Sequence, residues 1–268
     1  MSRFGTFNWT HQVAGPVAPE EMDVATFVRS RLGFHPDEKQ LAVLESSAKR
    51  GILNCSRQWG KSTVTAAKAV HRAYTQAESL VLVASPSERQ SAEFLRKASD
   101  LARRLGIRPR GDGDNAISLL LPNRSRIVGL PGTEATVRGF SAVSLIVIDE
   151  AARVPDEMYR ALRPMLAVGE GDLWMMSTPC GQTGFFYDTW VNASGTSEEW
   201  MRVSVKATEC PRISARFLEG ERGAMTSDVF AQEYLCEFHG DGTEYFDKKL
   251  IEAAVDLSVP ELRIHGHR

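Results

Sequence analysis

"LNCSRQWGKSTVTAAKA", residues 53–69, ends as a phosphate-binding loop ends but does not begin as one begins. Gly60-Lys61-Ser62 closes the pattern G-x-x-x-x-G-K-[ST], yet Cys55 stands where the first glycine belongs. A phosphate cradle needs backbone N–H groups at a helix N-terminus and a close approach to the anion. Gly60 permits that approach, Lys61 reaches toward the β- and γ-oxygens, and the Ser62 hydroxyl is placed for Mg²⁺. The opening glycine mainly eases the chain out of its strand, and a small Cys55 can substitute. A helix that merely starts with G-K-S is the alternative this stretch leaves open.

Outward from the loop the chain alternates strand, loop and helix. "GILNC" (51–55) reads as a strand and 61–77 as a helix, followed by the strand "SLVLVAS" (79–85) and a helix over 87–106 closed by Gly106. "ISLLLPNRSRIVGL" (117–130) predicts a hairpin turning at Pro122-Asn123, and "VSLIVID" (143–149) another buried strand. A helix over 156–166, a strand over 172–178, an edge strand over 201–207 and two helices within 212–237 complete the pattern. Upstream, 19–33 and 35–50 read as helices, and 1–18 as an arm with Phe4, Phe7 and Trp9. Continuous apolar strands alternating with helices predict an α/β fold, a mostly parallel sheet covered by helices on both faces. Ligands in such sheets bind beyond the carboxyl ends of the strands.

Three strands end in polar groups: "CSRQ", "DEAA" and "STP". Asp149 and Glu150 put adjacent carboxylates at a strand exit, where Asp149 can hold a magnesium water and Glu150 can polarise an attacking water. Capping the next helix is the plainer use of both. Ser177 and Thr178 stand where a hydroxyl can sense a γ-phosphate, or where a strand simply turns at Pro179. Loop and acidic strand together predict a site for ATP and Mg²⁺.

The formal net charge of −2 excludes a globally basic nucleic-acid binder, so any such partner must meet a local patch. The four cysteines are scattered, which argues against a zinc site or a disulfide framework and fits a reducing cytosol. No apolar run approaches the ~20 residues that span a bilayer, and no signal-peptide core opens the chain, so the chain reads as soluble and intracellular. His35, His71, His239 and His265 show no metal spacing and read as surface residues. Arg103, Arg104, Arg108, Arg110, Arg124 and Arg126 form a basic cluster that can grip phosphates, face solvent or contact another subunit.

"CSRQWGKS", "TVRGFSAVSLIVIDEAA", "STPCGQTGFFYDTW" and "FAQEYLCEF" together resemble the ATPase domain of the large terminase subunit, the motor that packages DNA in tailed bacteriophages. The similarity spans about residues 34–247. That family's loop lacks the opening glycine and carries Arg-Gln before x-G-K-[ST], as "RQWGKS" does here. The resemblance implies a P-loop NTPase of the ASCE/RecA-like class, with an arm and helix at 1–33, the ATPase domain at 34–238 and a linker or tail at 239–268. It implies that Gln40 reads adenine, that Ser56, Arg57, Gln58, Trp59, Gly60, Lys61, Ser62 and Thr63 surround the nucleotide, and that Arg57 contacts or senses phosphate. Trp59 serves as a lid on the loop or as packing beneath it. By the same resemblance Arg138 reaches a neighbouring subunit's site, and Ser177-Thr178 couples hydrolysis to movement.

The implied partners are double-stranded DNA, further copies in a ring on a portal protein, and a small terminase subunit, in the host cytoplasm and away from membranes. Full-length relatives carry a C-terminal nuclease; here Asp241, Asp247 and Asp256 lie on a linker-like stretch, and no nuclease activity is expected. A helicase-like translocase and a docking module with little turnover are the alternative readings.

Overall fold

The computed structural model describes residues 23–130, 139–192 and 200–240. Two short helices, α1 (Val24–Ser30) and α2 (Glu38–Glu45), precede β1 (Arg50–Cys55) and α3 (Lys61–Thr75). Then come β2 (Leu80–Ala84), α4 (Glu88–Arg104), the hairpin β3 (Ser118–Leu120) and β4 (Arg126–Leu130), and β5 (Leu145–Asp149). The chain continues through α5 (Asp156–Leu162), β6 (Asp172–Ser177), α6 (Gly184–Asn192) and β7 (Trp200–Val205) to α7 (Ala215–Ala224) and α8 (Ser227–Leu235).

The seven strands form one sheet in the order β3-β4-β2-β5-β6-β1-β7, parallel except for the outer β3. β6 lies between the loop-bearing β1 and the acidic β5, so the polar ends of all three strands sit side by side at one edge of the sheet. The expected edge strand is β7, the last in the order.

Both faces are covered because alternate residues of a strand point to opposite sides. Leu53, Val81, Val83, Val147 and Met176 pack beneath α1–α4. Ile52, Leu82, Ile146, Ile148 and Met175 pack on the other side, beneath α5 and α6. Phe27, Val28 and Leu32 are buried in the first of these cores, so the helix expected within the 1–33 arm is built into the main body. His71 corrects another expectation: it is no surface residue but lies edge-on to Phe27 at 5.0 Å, and burial lowers its pKa to about 4. α6, rich in aromatics, is an element that the strand–helix pattern did not predict.

One glycine is required by contact. Gly51 of β1 pairs in register with Trp174 of β6, and a Cβ on Gly51 would stand 2.3 Å from the indole. Lys68 of α3 lies 4.4 Å over the same ring and donates to the Val43 and Ser46 carbonyls at the end of α2.

Helix starts decide where an anion can approach. The side chains of Asp23, Asp37, Ser87, Ser214 and Thr226 cap α1, α2, α4, α7 and α8. α5 and α3 lack a side-chain cap, and the N-cap of α3 is Gly60, in the left-handed region at φ 101°. The Thr63 N–H donates to the Gly60 carbonyl, so the Lys61 and Ser62 N–H groups are those left for a partner from outside the helix.

Candidate functional site

The loop between β1 and α3 is held from behind. Lys61 is buried and donates through Nζ to the Cys55 and Ser56 carbonyls at 2.9 and 3.0 Å. Cys55 ends β1 without a positive φ, so the missing glycine's conformational freedom is not needed there. Ser56 turns its side chain inward, 3.8 Å from the Cys210 sulfur, and its N–H donates to Val205 of β7. The left-handed positions are Gln58, at φ 66°, and Gly60. For Gln58 such a conformation costs about 1–3 kcal/mol unless the surroundings enforce it.

Two residues expected at the nucleotide face inward instead. Gln40 is 3% exposed: its Oε1 accepts from the Asp37 N–H at 3.1 Å and its Nε2 donates to the Trp59 carbonyl at 2.8 Å. It completes the capping box of α2 and braces the loop. The Trp59 side chain is 2% exposed and donates from Nε1 to Asp37 at 2.9 Å, so it packs under the loop and does not form a lid. Arg212 also donates to the Trp59 carbonyl, at 2.7 Å.

The outer side of the loop opens on a cleft of about 360 Å³, walled by Arg57, Gln58 and Gly60 to Thr63 of the loop and by Lys97, Glu150 and Arg212. Four cations (Arg57, Lys61, Lys97 and Arg212) face one carboxylate, Glu150, an arrangement that favours a polyanion. Ser62 Oγ lies 3.3 Å from Asp149 Oδ2, bringing a hydroxyl and a carboxylate together at the cleft floor. Asp149 is 7% exposed; burial first, then the neighbouring Glu150, raises its pKa to about 6, partly offset by Lys61. Among the described residues no three His, Cys, Asp or Glu side chains gather as a metal cage. Two hard oxygen donors beside a polyphosphate cleft are what Mg²⁺ needs when phosphates supply the rest.

Glu150 sits at the exit of β5 in a left-handed conformation, φ 50°. Arg153, three residues on, holds its carboxylate at 3.3 Å and donates to Thr178 Oγ1 at 3.2 Å. The second Arg153 nitrogen lies 3.6 Å from Glu233 on α8, which also receives Arg57 Nε at 2.6 Å. One network thus joins the loop, the acidic strand, the end of β6 and the last described helix. Ser177 is fully buried in β6, its Oγ without a hydrogen-bond partner among the described residues.

Arg138, Asp241, Asp247 and Asp256 lie outside the described residues. Three of the six arginines in the basic cluster are paired with carboxylates locally. Arg103 pairs with Asp100, Arg124 with Glu78 and Arg126 with Asp112, while Arg104 donates to the Leu32 carbonyl. Lys97, Arg153, Arg212 and Glu233 are site residues the sequence did not signal. Arg153, in "DEAAR", and Glu233, inside "FAQEYLCEF", stood in or beside motifs that could have drawn attention to them.

Residues 52–253 match the family described as terminase large subunit, T4-like-virus type, N-terminal. The large terminase subunit of Thermus phage G20c is 28% identical over 174 residues, covering 58% of this chain and 36% of that protein. The chain therefore spans 36% of the length of that curated relative. Among solved structures, the large terminase ATPase domain of Thermus phage P74-26 superimposes with a TM-score of 0.71 at 22% identity, covering 82% of this chain and 100% of that one. The large terminase of another thermophilic bacteriophage, in complex with ATP-γ-S, gives 0.65 at 15% identity, covering 76% and 53%. At these identities the superpositions speak for the fold, the P-loop α/β sheet.

Proposed function

The chain belongs to the T4-like-virus-type large terminase family through its N-terminal domain, and on that premise we propose that it is the ATP-hydrolysing motor that drives double-stranded DNA into a procapsid. The observation that carries this reading is the cleft, where an uncapped helix start, four cations and a restrained glutamate meet at the carboxyl ends of β1, β5 and β6.

In the proposed reaction the α3 N-terminus and Lys61 receive the phosphates, and Arg57, Lys97 and Arg212 neutralise them. Lys61 would exchange two loop carbonyls for phosphate oxygens. Glu150 accepts a proton from the water whose oxygen attacks the γ-phosphorus, and the bond to the bridging oxygen breaks to release ADP. Ser62 and Asp149 would hold Mg²⁺, which would supply charge neutralisation at the phosphate oxygens. Arg153 keeps the Glu150 carboxylate aimed and connects it to Thr178, which gives the expected coupling role a physical route.

Arg138 would enter the site of a neighbouring copy in a ring, and where such an arginine has been measured in other systems it accelerates transfer by about 10³–10⁵. A ring on a portal protein, a small terminase subunit as co-partner, and action in the host cytoplasm during virion assembly complete the proposal.

The test is ATP turnover per subunit across protein concentration, with Lys61→Ala and Glu150→Gln alongside. The reading requires turnover that climbs with concentration, is lost in Lys61→Ala, and falls at least about 100-fold in Glu150→Gln. Turnover unchanged by Glu150→Gln overturns it.

A further inference from the structure

Of the four cations that face the phosphate cleft, three are already engaged. Lys61 donates to the Cys55 and Ser56 carbonyls, Arg57 is paired with Glu233, and Arg212 donates to the Trp59 carbonyl. Lys97 makes no hydrogen bond or salt bridge among the described residues. The other basic residues near it on α4 are committed: Arg96 pairs with Glu93, Arg103 pairs with Asp100, and Arg104 donates to the Leu32 carbonyl. Glu93 and Asp100 stand at the two helical spacings, i−4 and i+3, from which a carboxylate can reach Lys97, and each is taken by an arginine. Phe94, Ala98 and Leu101 of the same helix are buried in the first core, so the backbone of Lys97 is fixed and its half-buried side chain is the part left to respond.

The cleft also has two different ends. Arg57 and Arg212 belong as well to the wall of a neighbouring cleft of about 550 Å³, which Lys97 does not line among the described residues. Lys97 instead stands with Glu150 in the phosphate cleft, and its charge acts on the Asp149 carboxylate. The unengaged cation is thus the one at the carboxylate end.

We propose that Lys97 binds the γ-phosphoryl group of ATP within its own chain and is the residue by which the cleft tells ATP from ADP. The proposal rests on the nucleotide reading of the phosphate cleft. A terminal phosphoryl group brings negative charge up to Asp149 and Glu150, and that repulsion has to be offset where the water attacks. Lysine suits a group that is present before hydrolysis and gone after it, being a compact charge with three donors on a flexible stem. Lys61 must give up two carbonyls to meet a phosphate, whereas Lys97 has no partner to surrender, so its contact with the γ-oxygens is a net gain. During transfer the Lys97 ammonium keeps its protons and stabilises charge on the γ-phosphoryl oxygens, while the proton of the attacking water goes to Glu150.

The experiment compares ADP with ATP-γ-S, both with Mg²⁺, in protein dilute enough that sedimentation shows single copies and no neighbour contributes. Dissociation constants are measured for the parent chain, Lys97→Gln, Lys97→Arg and Lys61→Ala. Lys97→Gln is expected to weaken ATP-γ-S about tenfold, the scale of one charge-assisted hydrogen bond, and ADP by less than about twofold. Lys97→Arg keeps the charge and is expected to stay within about threefold of the parent for both nucleotides. A merely structural or general electrostatic role would move both nucleotides together, so equal weakening of ADP and ATP-γ-S in Lys97→Gln overturns the proposal. If Lys97→Gln binds both as the parent does while Lys61→Ala loses both, the γ-phosphoryl assignment falls and the phosphate cleft stands. If Lys61→Ala also binds both as the parent does, the phosphate reading itself falls, and the role of Lys97 with it.

Discussion

Arg57 of the loop and Glu233 of α8, 176 residues apart in the chain, meet at 2.6 Å between Nε and Oε2. The same carboxylate lies 3.6 Å from Arg153, the residue that holds Glu150. Glu233, with its side chain 19% exposed, therefore orients two arginines, one in the phosphate loop and one that holds Glu150. A glutamate at this distance from the chemistry acts only through what it positions.

Glu233→Ala is accordingly expected to lower kcat for ATP about tenfold, the equivalent of one charge-assisted contact. KM should change less than about threefold, since Lys61 and the α3 N-terminus are untouched. Steady-state kinetics over a range of ATP checks this. A rise in KM alone would mean that Arg57 is the part that matters.

The raised pKa of Asp149 gives Mg²⁺ binding a pH dependence. Below about 6 the carboxyl is protonated and must lose its proton to hold the ion. Apparent Mg²⁺ affinity should rise by up to about tenfold per pH unit from 5 to 6 and level off above about 7. Titration calorimetry with Mg²⁺ and nucleotide at fixed ionic strength reads the curve. Without the ion, the stability contribution of Asp149 has the opposite sign: folded Asp149 holds its proton more tightly than the usual 3.8, so stability falls as pH rises from 3.8 to about 6.

His71 adds an acid-sensitive term. Its folded pKa is depressed from 6.5 to about 4, so the unfolded chain takes up the proton first as pH falls. Stability should drop between pH 6.5 and 4 by up to about 3 kcal/mol, and His71→Phe should flatten that part of the profile. Urea unfolding at several pH values tests it.

Gly51→Ala should be poorly tolerated. The new methyl would sit in the Trp174 ring, and Trp174 is fully buried with Lys68 on it. Overpacking of this kind costs about 1–3 kcal/mol, which for a domain of this size lowers Tm by roughly 2–4 °C per kcal/mol. A thermal melt decides it, and no change in Tm would show that the indole can move aside.

The sheet was readable from sequence because its inner strands are apolar runs, such as Leu80–Ala84 and Leu145–Asp149, and three strands, β1, β5 and β6, end in conspicuous polar residues. α6 was not, because the aromatic-rich stretch Gly184–Asn192 shows no clear alternation of apolar and polar faces. Lys61, Ser62, Asp149 and Glu150 could be found from their motifs. Arg212 and Glu233 reach the loop across 153 and 176 residues, a proximity that only tertiary packing creates. Gln40 is instructive in the other direction. The pattern Asp37-x-x-Gln40 is itself a local capping signal, and that local demand engages the amide expected to read a base.

Trp59 makes the loop observable. Its indole is sealed beneath the loop with Nε1 on Asp37, and its own carbonyl is gripped by Gln40 and Arg212. Any rearrangement of the loop must change the surroundings of that one chromophore. The protein thus carries an optical gauge of its phosphate site, and replacing the other four tryptophans singly with phenylalanine would assign the signal to Trp59 without any added label.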